Sequence, residues 1–343
     1  MKSFQINGNE AGQRFDKYLK KLLSQAPGSF VYKMLRKKNI TLNGKKADGS
    51  EKLNIGDEVK LFLSDETFEK FASSGVLSGS LSDSENRIAD ISRKKENIVI
   101  KYPCIPLDII YEDNDILVIN KPVGMLSQKA VPADFSANEY IIGYLLEKHS
   151  ITREELATFH PSVCNRLDRN TSGLLIAGKS LKGLQDMSRQ LNERSMEKYY
   201  RCLVKGKISG EQLIEGWLKK DEKTNKVNIY KEEVSDSKYI KTGYRAVKHF
   251  YLTDKDRKQA YTLLEVHLIT GRSHQIRAHL ASIGHPIVGD GKYGDRKVNG
   301  LFAREAGIHS QLLHAYRMKF EDGRELKASL SKEFQKALAY LQK

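Results

Sequence analysis

One carboxylate sits between two guanidinium groups in the stretch HPSVCNRLDRNTSG over residues 160–173, where Arg166 and Arg169 bracket Asp168. Flanking cations favour an ionised carboxylate, and such a group serves as nucleophile or base. A plain structural ion pair has the same spacing. A second stretch, MEKYYRCLVKG over 196–206, alternates as a strand with Tyr200, Cys202 and Val204 on one face and Tyr199, Arg201, Leu203 and Lys205 on the other. Tyr200 is therefore the inward tyrosine, either ordinary core or a ring facing a site. A third, TGRSHQIRAH over 270–279, puts Arg272, His274, Gln275 and Arg277 at a strand end and in the first turn of a helix. Such a place suits a phosphate or a carboxylate, and equally generic capping.

Each of these stretches needs an element to position it. Asp115-Ile116-Leu117-Val118-Ile119 reads as a buried strand that stops at Asn120-Lys121-Pro122-Val123-Gly124, where Pro and Gly force an irregular loop. Ser136 with Glu139 forms a capping box ahead of Tyr140, Ile141, Tyr144 and Leu145, so a helix follows. Leu264, Val266 and Leu268 form the buried face of the strand before the third stretch. Ile276, Leu280 and Ile283 then fall at helical spacing up to Gly284. From Leu107 onward strands and helices alternate without a composition break, which predicts one large catalytic body over 101–343.

The chain has 343 residues, 58 Lys plus Arg against 43 Asp plus Glu, and a formal charge of +15. That excess points to a polyanion, and nucleic acid is the commonest one. No apolar run reaches membrane-spanning length and the amino terminus leads into no secretory signal, so a cytoplasmic protein without membrane contact is expected. Cys104, Cys164 and Cys202 are far apart and odd in number, which offers neither a disulfide framework nor a paired-Cys metal site. A zinc hydrolase built from His160, Cys164, His274 and His279 lacks the usual ligand spacing, and GDGKYG lacks the ending of a phosphate-binding P-loop.

The charge is concentrated. Residues 14–46 hold ten basic side chains, among them Lys17, Lys20, Lys21, Lys33, Arg36, Lys37 and Lys38, against one acid, Asp16. Apolar residues at helical spacing predict two short helices around Pro27-Gly28-Ser29, followed by a hairpin at Asn43-Gly44 and a strand at Glu58-Val59-Lys60-Leu61-Phe62. This pattern resembles the S-four domain, a small RNA-binding module named after a ribosomal protein, and predicts a unit over 1–63 whose basic helix edge meets RNA phosphates. Residues 64–100 are Ser-rich and mildly acidic, with room for a short helix near Glu66, and read as a linker.

Together, NRLDRNTSGLLIAGKS, KYYRCLVKG, TGRSHQIRAHLASIGHPIVGDGKYG and the amino-terminal module resemble an RluA-type RNA pseudouridine synthase. The resemblance implies an α+β fold with a large mixed or antiparallel bisected sheet flanked by helices and loops, plus the small αα-β unit. It implies a cofactor-free isomerisation of uridine, with Asp168 catalytic, as nucleophile on the sugar or as the base leading to a glycal. Arg277 would pair with and orient that aspartate, and Tyr200 would stack on the uracil and help deprotonate carbon 5. Arg166 would enter the helix when the target is flipped out. Arg169, Arg272, His274 and Gln275 would contact RNA, and Lys121, in the family's KPxG loop, would support the rim. Asn165 stands where many members have His. Large-subunit ribosomal RNA is the favoured partner over transfer RNA, no metal is implied, and a monomer is expected. The competing reading is a catalytically silent RNA-binding or ribosome-assembly factor with the same fold.

Overall fold

A computed structural model of the chain describes residues 1–72, 101–153, 155–222, 224–254 and 257–342. The amino-terminal unit is a four-stranded antiparallel sheet of β1 (Lys2–Gln5), β2 (Ile40–Leu42), β3 (Lys45–Lys46) and β4 (Glu58–Leu61) in the order β1-β4-β2-β3, packed against α1 (Phe15–Leu22), α2 (Gly28–Arg36) and α3 (Asp65–Phe71). In α1, Phe15, Leu19 and Leu22 recur at helical spacing and are fully buried, while Lys17, Lys20 and Lys21 face water. Asn43 and Gly44 both take positive φ, 49° and 71°, as a two-residue hairpin turn requires. Helix α3 is capped by Ser64, whose hydroxyl accepts from the Thr67 N–H, and sends Phe68 into the same core. Packing therefore continues past residue 63 to Ala72. Residues 73–100, most of the expected linker, lie outside the described residues.

The body is one eleven-stranded mixed sheet. Its strands are β5 (Ile109–Glu112), β6 (Ile116–Lys121), β7 (Ser162–Val163), β8 (Ser172–Gly178), β9 (Glu197–Lys205), β10 (Glu211–Asp221), β11 (Lys226–Tyr230), β12 (Lys238–Asp254), β13 (Arg257–Leu268), β14 (Leu313–Lys319) and β15 (Glu325–Lys327). The main path runs β11-β10-β12-β13-β9-β14-β8-β6-β5, with β7 on β8 and β15 on β14. The helices are α4 (Ala137–Glu147), α5 (Leu181–Glu193), α6 (Gln275–Ser282), α7 (Arg296–Ala306) and α8 (Lys332–Tyr340). Strand alternation divides the core. Leu117, Ile119, Leu175 and Ala177 pack with α4 and α6 on one face, and Ile116, Val118, Leu174 and Ile176 pack with Met187 of α5 on the other. The Glu139 carboxylate accepts from both the N–H and the hydroxyl of Ser136, which starts α4 where the capping box predicts.

Two glycines set the centre of the sheet. Gly173, at φ 111°, lies where β8 runs parallel to β14, and a Cβ there would stand 2.2 Å from the Ala315 carbonyl oxygen. Gly289, at φ 81°, lies against the Ser310 carbonyl at 2.1 Å by the same test. Only a residue without a side chain permits either approach. Asp168 stands five residues before the first of these glycines and Asp290 directly after the second.

The two units touch. Thr158 donates its hydroxyl to a Glu10 carboxylate oxygen at 2.7 Å, both residues being buried, and Ala157 packs on the amino-terminal core.

Candidate active site

Asp168 lies in the loop that leads into β8, Tyr200 on β9 and Arg277 on α6. These elements come from three distant parts of the chain, and the sheet order brings them to one cavity of about 900 Å³. Arg166, Arg272 and His274 also line it. Tyr200 pairs across the sheet with Val266 on one side and Ala315 on the other, so its ring stands on the face predicted from alternation.

Arg277 organises the centre. Its Nη1 donates to Asp168 Oδ2 at 2.7 Å, while Nε and Nη2 donate to the two oxygens of Asp290 at 2.7 and 2.9 Å. Asp290 also accepts from the backbone N–H groups of Lys292 and Tyr293. Burial works against the Arg277 charge, but hydrogen bonds and charge from Asp290, then Asp168, more than offset it and hold the guanidinium pKa above its ordinary value. For Asp290, burial pushes the pKa up and the Arg277 pairing brings it below the ordinary value. A buried bidentate pair thus presents a third, fixed N–H to Asp168, which keeps 29% of its side chain exposed to the cavity.

Two further groups surround the carboxylate. His274 takes a left-handed backbone conformation, φ 56°, at the start of α6, and its Nε2 stands 3.9 Å from Asp168 Oδ2. Its Nδ1 is 3.0 Å from the Tyr293 hydroxyl, which itself accepts from the Val227 N–H at 2.8 Å. The Nδ1–hydroxyl bond fixes the ring so that Nε2 faces Asp168. Burial lowers the His274 pKa, Asp168 opposes that and Arg277 adds to it, so the ring is neutral at neutral pH. Burial, with the Asp168 charge second, also raises the Tyr200 phenol above its usual range. The tyrosine is held protonated.

Several sequence expectations change in three dimensions. Arg277 of α6 pairs with Asp168, the partner that the resemblance implies, whereas Arg169, beside it in sequence, turns away and donates to the Gly124 carbonyl. Lys121 is fully buried, and its ammonium donates to the carbonyls of Pro122, Met125 and Arg169 at 2.9, 2.8 and 3.1 Å. It tethers the loop that carries Asp168 and does not line the cavity. Burial pushes Lys121 down to about 7, opposed by Asp168, while three carbonyl acceptors match the three donors of the charged form. Gln275 is buried as a brace, bonded to Thr270, Thr242 and the Lys241 carbonyl. Arg166 and Arg272 are exposed at the cavity wall.

Sequence reasoning missed Asp290, Tyr293 and Ser127. The Ser127 hydroxyl donates to the Leu167 carbonyl and accepts the Leu167 N–H, which clamps the residue before Asp168. An acid inside the glycine-rich GDGKYG run was the available signal for Asp290. Among the described residues no group of three or more His, Cys, Asp or Glu could hold a metal ion.

A family model described as RNA pseudouridylate synthase matches residues 115–282, a span that contains Asp168, Tyr200 and Arg277 but stops short of Asp290. The ribosomal large subunit pseudouridine synthase C of Vibrio cholerae serotype O1 is 30% identical over 97% of this chain and 94% of its own length. The protein of the same name from Escherichia coli strain K12 is 29% identical over 92% of this chain and 87% of its own. Among solved structures, human RNA pseudouridylate synthase domain containing 4 superposes with a TM-score of 0.53 and 18% identity, covering 74% of this chain and 98% of that one, which is a likeness of fold. With similarity running almost from end to end, and Asp168, Tyr200 and Arg277 converging on one cavity, the chain belongs to the RNA pseudouridylate synthase family.

Proposed function

We propose that this enzyme converts specific uridines of large-subunit ribosomal RNA to pseudouridine, with Asp168 as the group that acts on the ribose. The observation that carries this reading is the 2.7 Å contact from Arg277 to Asp168, backed by the buried Arg277–Asp290 pair. It keeps one carboxylate oriented in a cavity large enough for a flipped nucleotide. The relatives named for the ribosomal large subunit, covered nearly end to end, support the substrate class.

In the reaction the bond from ribose C1′ to uracil N1 breaks, the uracil turns, C5 bonds to C1′, and the C5 proton leaves while N1 gains one. Asp168 serves this either by attacking C1′ or by taking a proton from C2′ to form a glycal, and both routes need the same ionised carboxylate facing the sugar. Tyr200 offers its ring to the uracil. Because burial keeps its phenol protonated, removing the C5 proton through Tyr200 requires its own O–H proton to pass on as the new one arrives. Arg166, exposed beside Asp168, fills the helix position that the flipped uridine leaves. The exposed basic edge of α1 and α2 docks the phosphates of the surrounding RNA in the manner of an S-four domain.

Tritium release from large-subunit ribosomal RNA labelled at C5 of uridine tests the reading. Release by the wild type and none by Asp168→Asn is expected; no release by the wild type on either ribosomal or transfer RNA would favour a silent RNA-binding factor.

A further inference from the structure

The strand pairing that turns Tyr200 toward the reaction cavity turns Tyr199 to the opposite face of the sheet, where a second cavity of about 630 Å³ opens. One row of paired positions crosses five strands there: Arg317 on β14, Tyr199 on β9, His267 on β13, Gly243 on β12 and Leu213 on β10. Three planar groups stack along that row. The Arg317 guanidinium carbon lies 3.8 Å from the Tyr199 ring centre, and Tyr199 and His267 stack at 4.6 Å with 17° between their planes.

The stack stops at Gly243, which has no side chain, and the row resumes at Leu213, which is 52% exposed. His267 and Leu213 stand two strands apart, roughly 9.5 Å between backbones. A flat ring sandwiched between two side chains needs about 7 Å. The unfilled position above Gly243 is thus a slot one ring thick.

Charge surrounds it. The buried Glu265 carboxylate meets Arg245 at 2.7 Å, Arg201 at 3.1 Å and Arg317 at 3.7 Å, and Arg245 keeps 54% of its side chain exposed. Arg245 and Arg317 line the cavity beside Glu265 and Glu211, and Arg317 also pairs with Glu325 at 2.9 Å, so the exposed Arg245 is the guanidinium left to meet a phosphate and the exposed Glu211 offers an acceptor to a base amino group. Ile269, just past the end of β13, lines both this cavity and the reaction cavity.

We propose that this slot binds an unpaired base of the substrate RNA, stacked on His267 above Gly243, with its phosphate beside Arg245. A planar cation–aromatic stack is a sequence-tolerant platform for bases. The half-exposed Arg245 guanidinium suits a phosphodiester, and the shared Ile269 wall gives an RNA strand a short path between the two cavities. The proposal rests on the reading that RNA is the substrate and adds a second contact to it.

Gly243→Val tests it in the full-length enzyme. A Cβ at this position meets His267 Cβ at 3.5 Å and Leu213 Cδ1 at 3.8 Å, ordinary contact distances, and valine suits a strand. The variant should therefore fold with the slot filled, and a melting curve beside the wild type's checks that it does. On ribosomal RNA carrying 4-thiouridine, the wild type is expected to crosslink at His267 or Tyr199, and Gly243→Val to lose that crosslink. The variant is also expected to raise KM about tenfold with kcat changed less than twofold. His267→Ala should raise KM similarly, and His267→Phe should restore it. An active Gly243→Val with unchanged KM and crosslinks would overturn the slot. So would free uridine monophosphate that displaces the crosslink as well as RNA does, since that marks a small-molecule site. Asp168→Asn should keep the crosslink while releasing no tritium. A wild type that crosslinks at the slot but never releases tritium defeats the functional reading and leaves the slot standing.

Discussion

Arg277 gives Asp168 a single N–H, at 2.7 Å, because its other two donating nitrogens are already held by Asp290. The guanidinium is a fixed bracket, and the Asp168 carboxylate is positioned by a pair it does not belong to. Substituting either acid should therefore cost activity, but only the loss of Asp290 should also cost the fold.

Asp168→Asn should cut tritium release by about 10³-fold or more while barely moving thermal stability. The bracket survives its loss, since Arg277 remains paired with Asp290. A melting curve beside the activity assay checks both halves. A large drop in melting temperature would mean that the Asp168 contact carries the fold.

Asp290→Ala should cost stability as well as activity. Its side chain is completely buried, and removing it strips Arg277 of its bidentate partner and leaves only the half-buried Asp168, at about 3–5 kcal/mol. Urea unfolding measures the loss. Arg277→Lys should also fail to restore activity, because an ammonium cannot hold both oxygens of Asp290 and reach Asp168 at once.

Lys121→Met should destabilise the enzyme by about 3 kcal/mol or more, since three buried carbonyls lose their donor together. Activity should fall with it, through the loop that carries Asp168. Urea unfolding and kcat on the same sample separate this from direct participation: a stable but inactive variant would place Lys121 in the chemistry.

Acid should weaken the fold through His314. This side chain has no solvent exposure and lies beside Ser172 at the parallel contact of β8 and β14; burial pulls its pKa down to about 4. A folded pKa below the unfolded value of about 6.5 means that the stability is fully present above pH 6.5 and is lost as pH falls toward 4. The slope is at most about 1.4 kcal/mol per pH unit for one proton. Urea midpoints across pH 4 to 7 should show it, and His314→Asn should flatten the curve by roughly one proton.

Charge removal at Lys33, Lys37 and Lys38 together should reduce the slope of log affinity against log salt by about one for each phosphate that these ammonium groups neutralise. The three side chains are exposed on and after α2, away from the reaction cavity, so kcat at saturating RNA should hold. Filter binding at several salt concentrations reads the slope; an unchanged slope would remove this edge from the RNA interface.

Local patterns were enough to read much of this protein. Periodicity located α1, α2 and α6, alternation turned Tyr200 inward, and turn chemistry placed the Asn43-Gly44 hairpin, because each is decided by neighbours in the chain. The concentration of charge in residues 14–46 was equally visible. Partnership was not legible in local pattern, and only the family resemblance pointed Arg277 at Asp168. Arg166 and Arg169 are next to Asp168 in sequence, yet the cation that meets it is 109 positions away, because the sheet order β13-β9-β14-β8 sets which loops share a cavity. Lys121 was expected to support the rim, and its burial under three carbonyls is what the tertiary structure added, while Asp290 acquired a role only when Gly289 let its loop approach Ser310. The residue types that do the chemistry are written in local sequence. Their pairing depends on long-range strand register and on burial, which exist only once the chain has closed on itself.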